Sequence, residues 1–316
     1  MSNVDNSIQT VGICGIGQMG AAAAVSFQRA GYRVLLWGRN AAKLAAVESK
    51  LRELNDWIDD HVGRSECEPG SIERVEDLRR VSREAEFVLD AIAEDMEQKV
   101  ELFKKLAAEA PDGATYVTTT SGLSITEMGR KSGTGAFLAG THFWNPPHLM
   151  PLVEVVRGED TPNAVIDRVC QVVESIGKVP VRVEKDVPGF IGNRLLHALW
   201  REAINLVQRG IASPEDIDKV ARLTFGLRSP VVGPTENMDL VGLDLIKTIH
   251  DYLSADLADD KAALPLHEEM VKRGDLGMKS GRGFYDWKKH DGPALLQRRD
   301  RQIVRQLTYL REIGQL

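Results

Sequence analysis

Thr10-Val11-Gly12-Ile13-Cys14-Gly15-Ile16-Gly17-Gln18-Met19-Gly20 is the stretch whose reading decides the fold. Its first part belongs to a β-rich apolar run, Ile8 to Cys14. Its second part fits Gly-x-Gly-x-x-Gly at Gly15, Gly17 and Gly20, and an alanine-rich helical pattern continues from Gln18 to Ala30. The motif alone is weak. Here a strand precedes it, a helix follows, and a second strand, Arg33 to Trp37, comes next, which is the context a dinucleotide-binding loop needs. Each glycine then has a physical task. Gly15 permits the tight turn, Gly17 lets the backbone approach a pyrophosphate, and Gly20 lets the helix pack closely on the strand. The helix start at Gln18 and Met19 presents N–H groups and a partial positive charge to the phosphates. The competing reading is a glycine-rich βα turn with no ligand.

Outward from this loop, apolar runs and helical patterns alternate. Asn40 to His61 reads as a long helix with Asn40 as N-cap, and Glu86 to Ile92 as a buried strand followed by a helix from Met96 to Ala110. Thr115 to Thr120, Ala136 to Phe143, Leu152 to Val156 and Val179 to Val183 complete the strands. Strands spaced by helices imply βαβ units and a mainly parallel sheet, covered on both faces. At Asp186-Val187-Pro188-Gly189 the pattern changes. Helical signals follow from Phe190 to Arg209, after Ser213-Pro214 (an N-cap with proline at the first helical position), and from Pro293 to Ile313. The fold class is therefore α/β: an N-terminal doubly wound Rossmann-type domain, 1–186, then an all-helical C-terminal domain, 187–316. The arginine-rich tail reads as an amphipathic helix with a solvated face, the alternative being an anionic partner.

The whole-chain numbers agree. A length of 316 residues fits about two domains at roughly 150 each. Hydrophobic residues are 43% and charged residues 27%, ordinary globular values. The formal charge of -6 lacks the basic footprint of a nucleic-acid binder. No apolar run is long enough for a membrane helix, and Met1 to Thr10 is polar, with no secretory pattern. Cys14, Cys67 and Cys170 are too scattered for a disulfide framework or a zinc cluster, so a cytoplasmic protein without a metal is expected.

Cofactor choice turns on Leu36-Trp37-Gly38-Arg39-Asn40. An NAD site usually places a carboxylate after the second strand to accept from the ribose 2′-hydroxyl. Gly38 stands there, and Arg39 follows, a residue able to clamp a 2′-phosphate. This favours NADP. The other reading makes Arg39 a surface residue and leaves NAD.

The chemistry points to His142 and Glu154. Thr141-His142-Phe143-Trp144-Asn145-Pro146-Pro147 ends one strand, and Pro151-Leu152-Val153-Glu154 begins the next, so the two side chains can meet at the ligand-binding edge. A carboxylate on one imidazole nitrogen fixes the tautomer and stabilises the imidazolium. The other nitrogen then takes a proton from a substrate hydroxyl. A histidine satisfied within the core is the bland alternative. His148 reads as a loop residue, and with no third ligand the two histidines make no metal site. Ser121 follows a strand at the same edge and reads either as a hydrogen-bonder of the substrate oxygen or as part of a Ser-Gly turn. Asn193, at the start of the linking helix, reads either as a reach toward the site or as structure.

These residues carry a resemblance over nearly the whole chain. His142-Phe143-Trp144-Asn145-Pro146, Leu152 to Val155, Pro188 to Arg194, Gly233-Pro234, Asp239 to Asp244 and Lys279 to Tyr285 resemble, in order, the motifs of the 3-hydroxyacyl-CoA dehydrogenase family. The resemblance implies an NAD(P)-dependent oxidoreductase interconverting a 3-hydroxy and a 3-keto group, with a homodimer formed through the helical domain. It implies His142 as general acid/base, Glu154 as its partner, and Ser121 and Asn193 as groups that orient the reacting oxygen. Glu94 and Lys99 match positions at the nicotinamide end of the cofactor, and Asn145 is implied at the substrate.

Three departures shape the substrate question. The acidic residue after the second strand is missing. The stretch from Asn40 to Ser71, where the family holds the CoA nucleotide, looks shorter and carries Asp56, Asp59 and Asp60, which suit an anionic tail poorly. Asn145-Pro146-Pro147-His148 and Arg228-Ser229-Pro230 look more like members acting on free hydroxy acids, such as a gulonate dehydrogenase and a pyridine-carboxylate dehydrogenase. Arg228 then reads as a clamp on a substrate carboxylate, or else as a surface arginine. The open alternatives are a 3-hydroxyacyl-CoA, a free hydroxy acid, an aromatic hydroxymethyl, aldehyde or imine substrate, and a non-catalytic dinucleotide-binding protein.

Overall fold

The structure, a computed structural model, describes residues 8–65 and 67–316. The polar start of the chain falls mostly outside them. The chain divides into two compact units, one through Asn193 and one from Arg194 to Leu316.

The first unit is built on one eight-stranded sheet. Its strands are β1 (Thr10–Cys14), β2 (Arg33–Trp37), β3 (Ile72–Val75), β4 (Phe87–Asp90), β5 (Thr115–Thr118), β6 (Leu138–Phe143), β7 (Leu152–Arg157) and β8 (Val179–Val183). Their order is β3-β2-β1-β4-β5-β6-β7-β8, and only the β6–β7 pair is antiparallel. The helices are α1 (Gln18–Arg29), α2 (Ala41–His61), α3 (Leu78–Glu84), α4 (Met96–Ala107), α5 (Ile125–Ser132) and α6 (Asn163–Ser175). They cover both faces. On β1, Val11 and Ile13 point into one apolar core with Phe27, Leu44 and Val169, while Cys14 joins Val81, Phe103 and Met128 in the other. Alternation along a strand buried on both sides explains why its sequence is continuously apolar. The strand order reverses beside β1, so the loops after β1 and β4 open the crevice where such sheets bind ligands.

The expected N-cap at Asn40 forms, with its side chain accepting from the Lys43 N–H at 2.9 Å. Among the elements that the sequence did not mark are an edge strand and the short helix after it. The edge strand β3 reads Ile-Glu-Arg-Val, and its Glu73 pairs with Arg33 and Arg80. Charges that keep an edge strand from pairing further also hide it in the sequence. The short α3 that follows, Leu-Arg-Arg-Val-Ser-Arg-Glu, shows too little apolar periodicity to stand out.

The linking helix α7 (Gly192–Gln208) begins two residues later than its apolar pattern predicts. Phe190 has a left-handed backbone with φ of 51° and closes a turn by donating to the Val187 carbonyl at 3.0 Å. Beyond α7 the described residues of the second unit form α8 (Pro214–Leu223), α9 (Phe225–Arg228), α10 (Pro234–Val241), α11 (Leu243–Leu253), α12 (Pro265–Lys272) and α13 (Gly292–Glu312). Ser213 caps α8 as expected, accepting from the Asp216 N–H. Among the described residues no helix is long and apolar enough to cross a membrane.

Candidate active site

The glycine loop joins β1 to α1. Gly15 has φ of 129°, a left-handed value that disfavours a side chain, and a Cβ there would sit 2.3 Å from the Ala91 carbonyl oxygen. A Cβ on Gly20 would sit 2.0 Å from the Gly15 carbonyl oxygen, so only glycine allows α1 to lie this close to the loop. Gly17 is the opposite case. A Cβ there would meet nothing within 4 Å, so the bare backbone faces open space. Gly17 is the N-cap of α1 with no side chain closing the helix end, which leaves the first turn's N–H groups at Gln18 and Met19 for a phosphate. These features fit a dinucleotide pyrophosphate.

At the end of β2, a side chain on Gly38 would press on Ile16 at 3.1 Å. The loop's own isoleucine thus lies where the usual carboxylate would start. Arg39 is exposed and makes no hydrogen bond or ion pair with a described residue.

His142 and Glu154 face each other in the antiparallel register of β6 and β7. That register places the two side chains on one face, side by side. His142 Nδ1 and Glu154 Oε2 are 2.6 Å apart, and both residues are buried. The other carboxylate oxygen, Oε1, accepts from the Ile191 and Gly192 N–H groups, each at 2.9 Å. Burial pushes the Glu154 carboxyl up, but the His142 imidazole and these two N–H donors outweigh it and hold it below its ordinary value. The left-handed Phe190 turns the backbone so that Ile191 and Gly192 donate here, and its ring packs on His142 with centroids 5.6 Å apart. Trp144 lies edge-on to the imidazole at 5.2 Å. His142 Nε2 has no hydrogen-bond partner among the described residues, so one nitrogen is engaged by carboxylate and one is left for a substrate.

Ser121 and Asn193 also come together, with Asn193 Nδ2 donating to the Ser121 carbonyl at 3.3 Å. The Ser121 loop is held from below by Glu94, whose Oε1 accepts from Thr120 Oγ1 at 2.5 Å and from the Ser121 N–H at 2.9 Å. Lys99 is the residue expected, with Glu94, at the nicotinamide end of the cofactor. It is 1% exposed, with Nζ 2.7 Å from Asp90 Oδ2 and 3.8 Å from Glu94 Oε2. Thr118 Oγ1 donates to the same Asp90 oxygen at 2.8 Å. The lysine thus braces Asp90 at the β4 terminus and lies close to Glu94. Asn145 accepts from Gln18 Nε2 at 3.1 Å, linking the strand-end segment to the glycine loop. Arg228 lies exposed in α9 of the second unit.

Sequence reading missed Asp90, Phe190 and Lys178. Asp90 was hidden inside an apolar strand run. Pro188-Gly189 marked a turn but gave no sign that the next residue would take the left-handed conformation.

Residues 10–187 match the model of the 3-hydroxyacyl-CoA dehydrogenase NAD binding domain, and residues 189–287 match that of the family's C-terminal domain. A probable 3-hydroxybutyryl-CoA dehydrogenase of Bacillus subtilis is 37% identical over 89% of this chain and 98% of its own. The 5-formyl-3-hydroxy-2-methylpyridine 4-carboxylate 5-dehydrogenase of Mesorhizobium japonicum is 30% identical over 94% of this chain and 96% of its own. A crystal structure of an enzyme with that activity, described as an NAD+-dependent dismutase, superposes with a TM-score of 0.90 at 30% identity, covering 96% of this chain and 99% of that one. The chain belongs to the 3-hydroxyacyl-CoA dehydrogenase family of NAD(P)-dependent oxidoreductases.

Proposed function

We propose that the protein oxidises a secondary or benzylic-type hydroxyl on a free carboxylate substrate, or runs the reverse reduction, in preference to acting on an acyl-CoA. The observation that carries the dehydrogenase reading is the His142–Glu154 pair, with Glu154 saturated by two backbone donors and His142 Nε2 left open. The bound nicotinamide supplies hydride transfer. The chain's own residues do the rest. His142 Nε2 accepts the hydroxyl proton, and Glu154 holds Nδ1–H and stabilises the imidazolium that forms. Ser121 Oγ and Asn193 bind the substrate oxygen, and Asn145 orients the substrate beside the glycine loop.

Three features support a free acid. The relative acting on a pyridine carboxylate spans more of this chain than the butyryl-CoA relative, 94% against 89%. Asp56, Asp59 and Asp60 end the α2 arm with exposed acidic groups, poor company for a polyphosphate tail. Trp57, stacked on His61 at 4.3 Å, packs edge-on against His148 at 5.1 Å and ties that arm to the site's loop. The test is the initial rate of acetoacetyl-CoA reduction beside a panel of free hydroxy and oxo acids and aromatic aldehydes, with NADH and NADPH. Turnover confined to free acids supports the proposal, and efficient acetoacetyl-CoA reduction overturns the substrate choice while keeping the dehydrogenase.

We also propose NADP(H) as a good cofactor, because Arg39 is exposed directly after the β2 end, pairs with no carboxylate among the described residues and can clamp a 2′-phosphate. The second unit is proposed to pair with a second copy of this chain. Leu223, Leu227, Leu240 and Tyr252 are 70, 71, 75 and 68% exposed, large apolar side chains of the kind that a subunit interface covers.

A further inference from the structure

Lys178, which leads into β8, is a buried lysine that no mechanism step uses. Its residue is 8% exposed, and among the described residues no carboxylate pairs with it. Its Nζ donates to two backbone carbonyls, Pro147 at 2.8 Å and Met150 at 2.9 Å. Burial lowers its ammonium to about 8. A charge kept in this position without a counter-ion needs strong acceptors, and both acceptors belong to one short segment. That segment is a turn in which the Leu149 and Met150 N–H groups both donate to the Pro146 carbonyl at 3.0 Å. Asn145 directly precedes it and meets Gln18 of the glycine loop. His142 lies three residues further back, at the end of β6.

We propose that Lys178 is a positioning residue that clamps the 146–150 turn from beneath and so fixes Asn145 against the glycine loop. The clamp is remote from the chemistry in sequence, on the connection from α6 to β8. It works by tying one stretch of irregular backbone to the residue that leads into β8. Without it, two carbonyls lose their donor in a buried setting, and the turn relaxes toward water. The functional consequence rests on reading Asn145 as a substrate-binding residue, whereas the clamp itself does not.

The experiment is a double-mutant cycle on the full-length protein, combining Lys178→Met with Asn145→Ala, using the substrate found in the panel above. In the wild-type background Lys178→Met is expected to raise KM by about tenfold, with kcat changed less. In the Asn145→Ala background that factor is expected to fall to about twofold, the range expected when one residue acts through the other. An equal factor in both backgrounds, or an unchanged KM, overturns the proposal. Should Lys178→Met not fold, Lys178→Arg, whose guanidinium still donates to carbonyls, enters the same cycle. It is expected to retain most of the affinity, and full loss with a folded protein would overturn the clamp. Hydrogen exchange at the Leu149 and Met150 amides gives a readout independent of activity. Both are expected to exchange faster in the Lys178→Met protein, and unchanged protection would overturn the clamp. An unchanged KM for Asn145→Ala alone, with those amides exposed, would fault the reading of Asn145 and leave the clamp standing.

Discussion

At the scale of single residues, Glu154 does two things through two oxygens. One orients His142, and the other closes the turn that starts α7. Glu154→Gln separates them. The amide oxygen can still accept from Ile191 and Gly192, while the amide nitrogen now donates to His142 Nδ1. That reverses the tautomer and puts the proton on Nε2, where the base must be empty. Activity is expected to fall by about 10²–10⁴-fold with the fold retained, measured as kcat at neutral pH. The carboxylate also contributes to stability. Its folded-state titration lies below its ordinary value, so this contribution is present above the ordinary carboxylate range and is lost as pH falls through the lowered value. Thermal melts of the wild type are therefore expected to decline between neutral and acidic pH more steeply than those of Glu154→Gln. Parallel curves would contradict the assignment. Arg39 gives the second test at this scale. Arg39→Ala is expected to weaken NADPH binding by about tenfold or more and NADH binding little, read by fluorescence titration. Equal losses would return Arg39 to the role of a surface residue.

At the scale of elements, the β4 terminus and α4 are joined by a buried charge pair. Lys99 and Asp90 are 1% and 0% exposed at their side chains, and Thr118 and the Ile92 N–H complete the carboxylate's partners. Lys99→Met leaves Asp90 as an uncompensated buried charge, a loss of about 3–5 kcal/mol in denaturant unfolding. A loss below about 1 kcal/mol would show that the pair is not sealed as described. The elements that carry the site were legible where chemistry and periodicity coincide. The glycine loop, the Asn40 cap and the meeting of His142 with Glu154 could all be read from residue spacing. The elements that were not legible are those whose residues answer to tertiary partners. In β3, Glu73 finds Arg33 and Arg80, and the left-handed Phe190 goes together with two N–H groups donating to Glu154. The Lys99–Asp90 pair stayed unread for the same reason, since spacing along α4 does not reveal which strand residue a lysine will meet.

At the scale of the whole molecule, the two units differ in how they satisfy their apolar residues. The first buries two cores against its sheet. In the second, Leu264, Met270 and Leu307 are the buried apolar side chains among the described residues, and large apolar groups on α8 to α11 face solvent. Sedimentation equilibrium is expected to give a dimer, and a monomer at micromolar concentration would contradict that reading. The sequence pattern changes near Pro188 and the two units divide after Asn193, but which apolar face of a helix is covered by which neighbour does not follow from periodicity. In the proposed reaction the fold presents a His–Glu acid/base pair to a hydroxyl beside a bound nicotinamide. The most direct test compares wild type and His142→Gln for initial rates followed by nicotinamide absorbance on the best panel substrate, with dinucleotide affinity measured alongside. The account predicts a loss of about 10²–10⁴-fold in kcat with dinucleotide affinity retained. A His142→Gln protein with near-full turnover would contradict it.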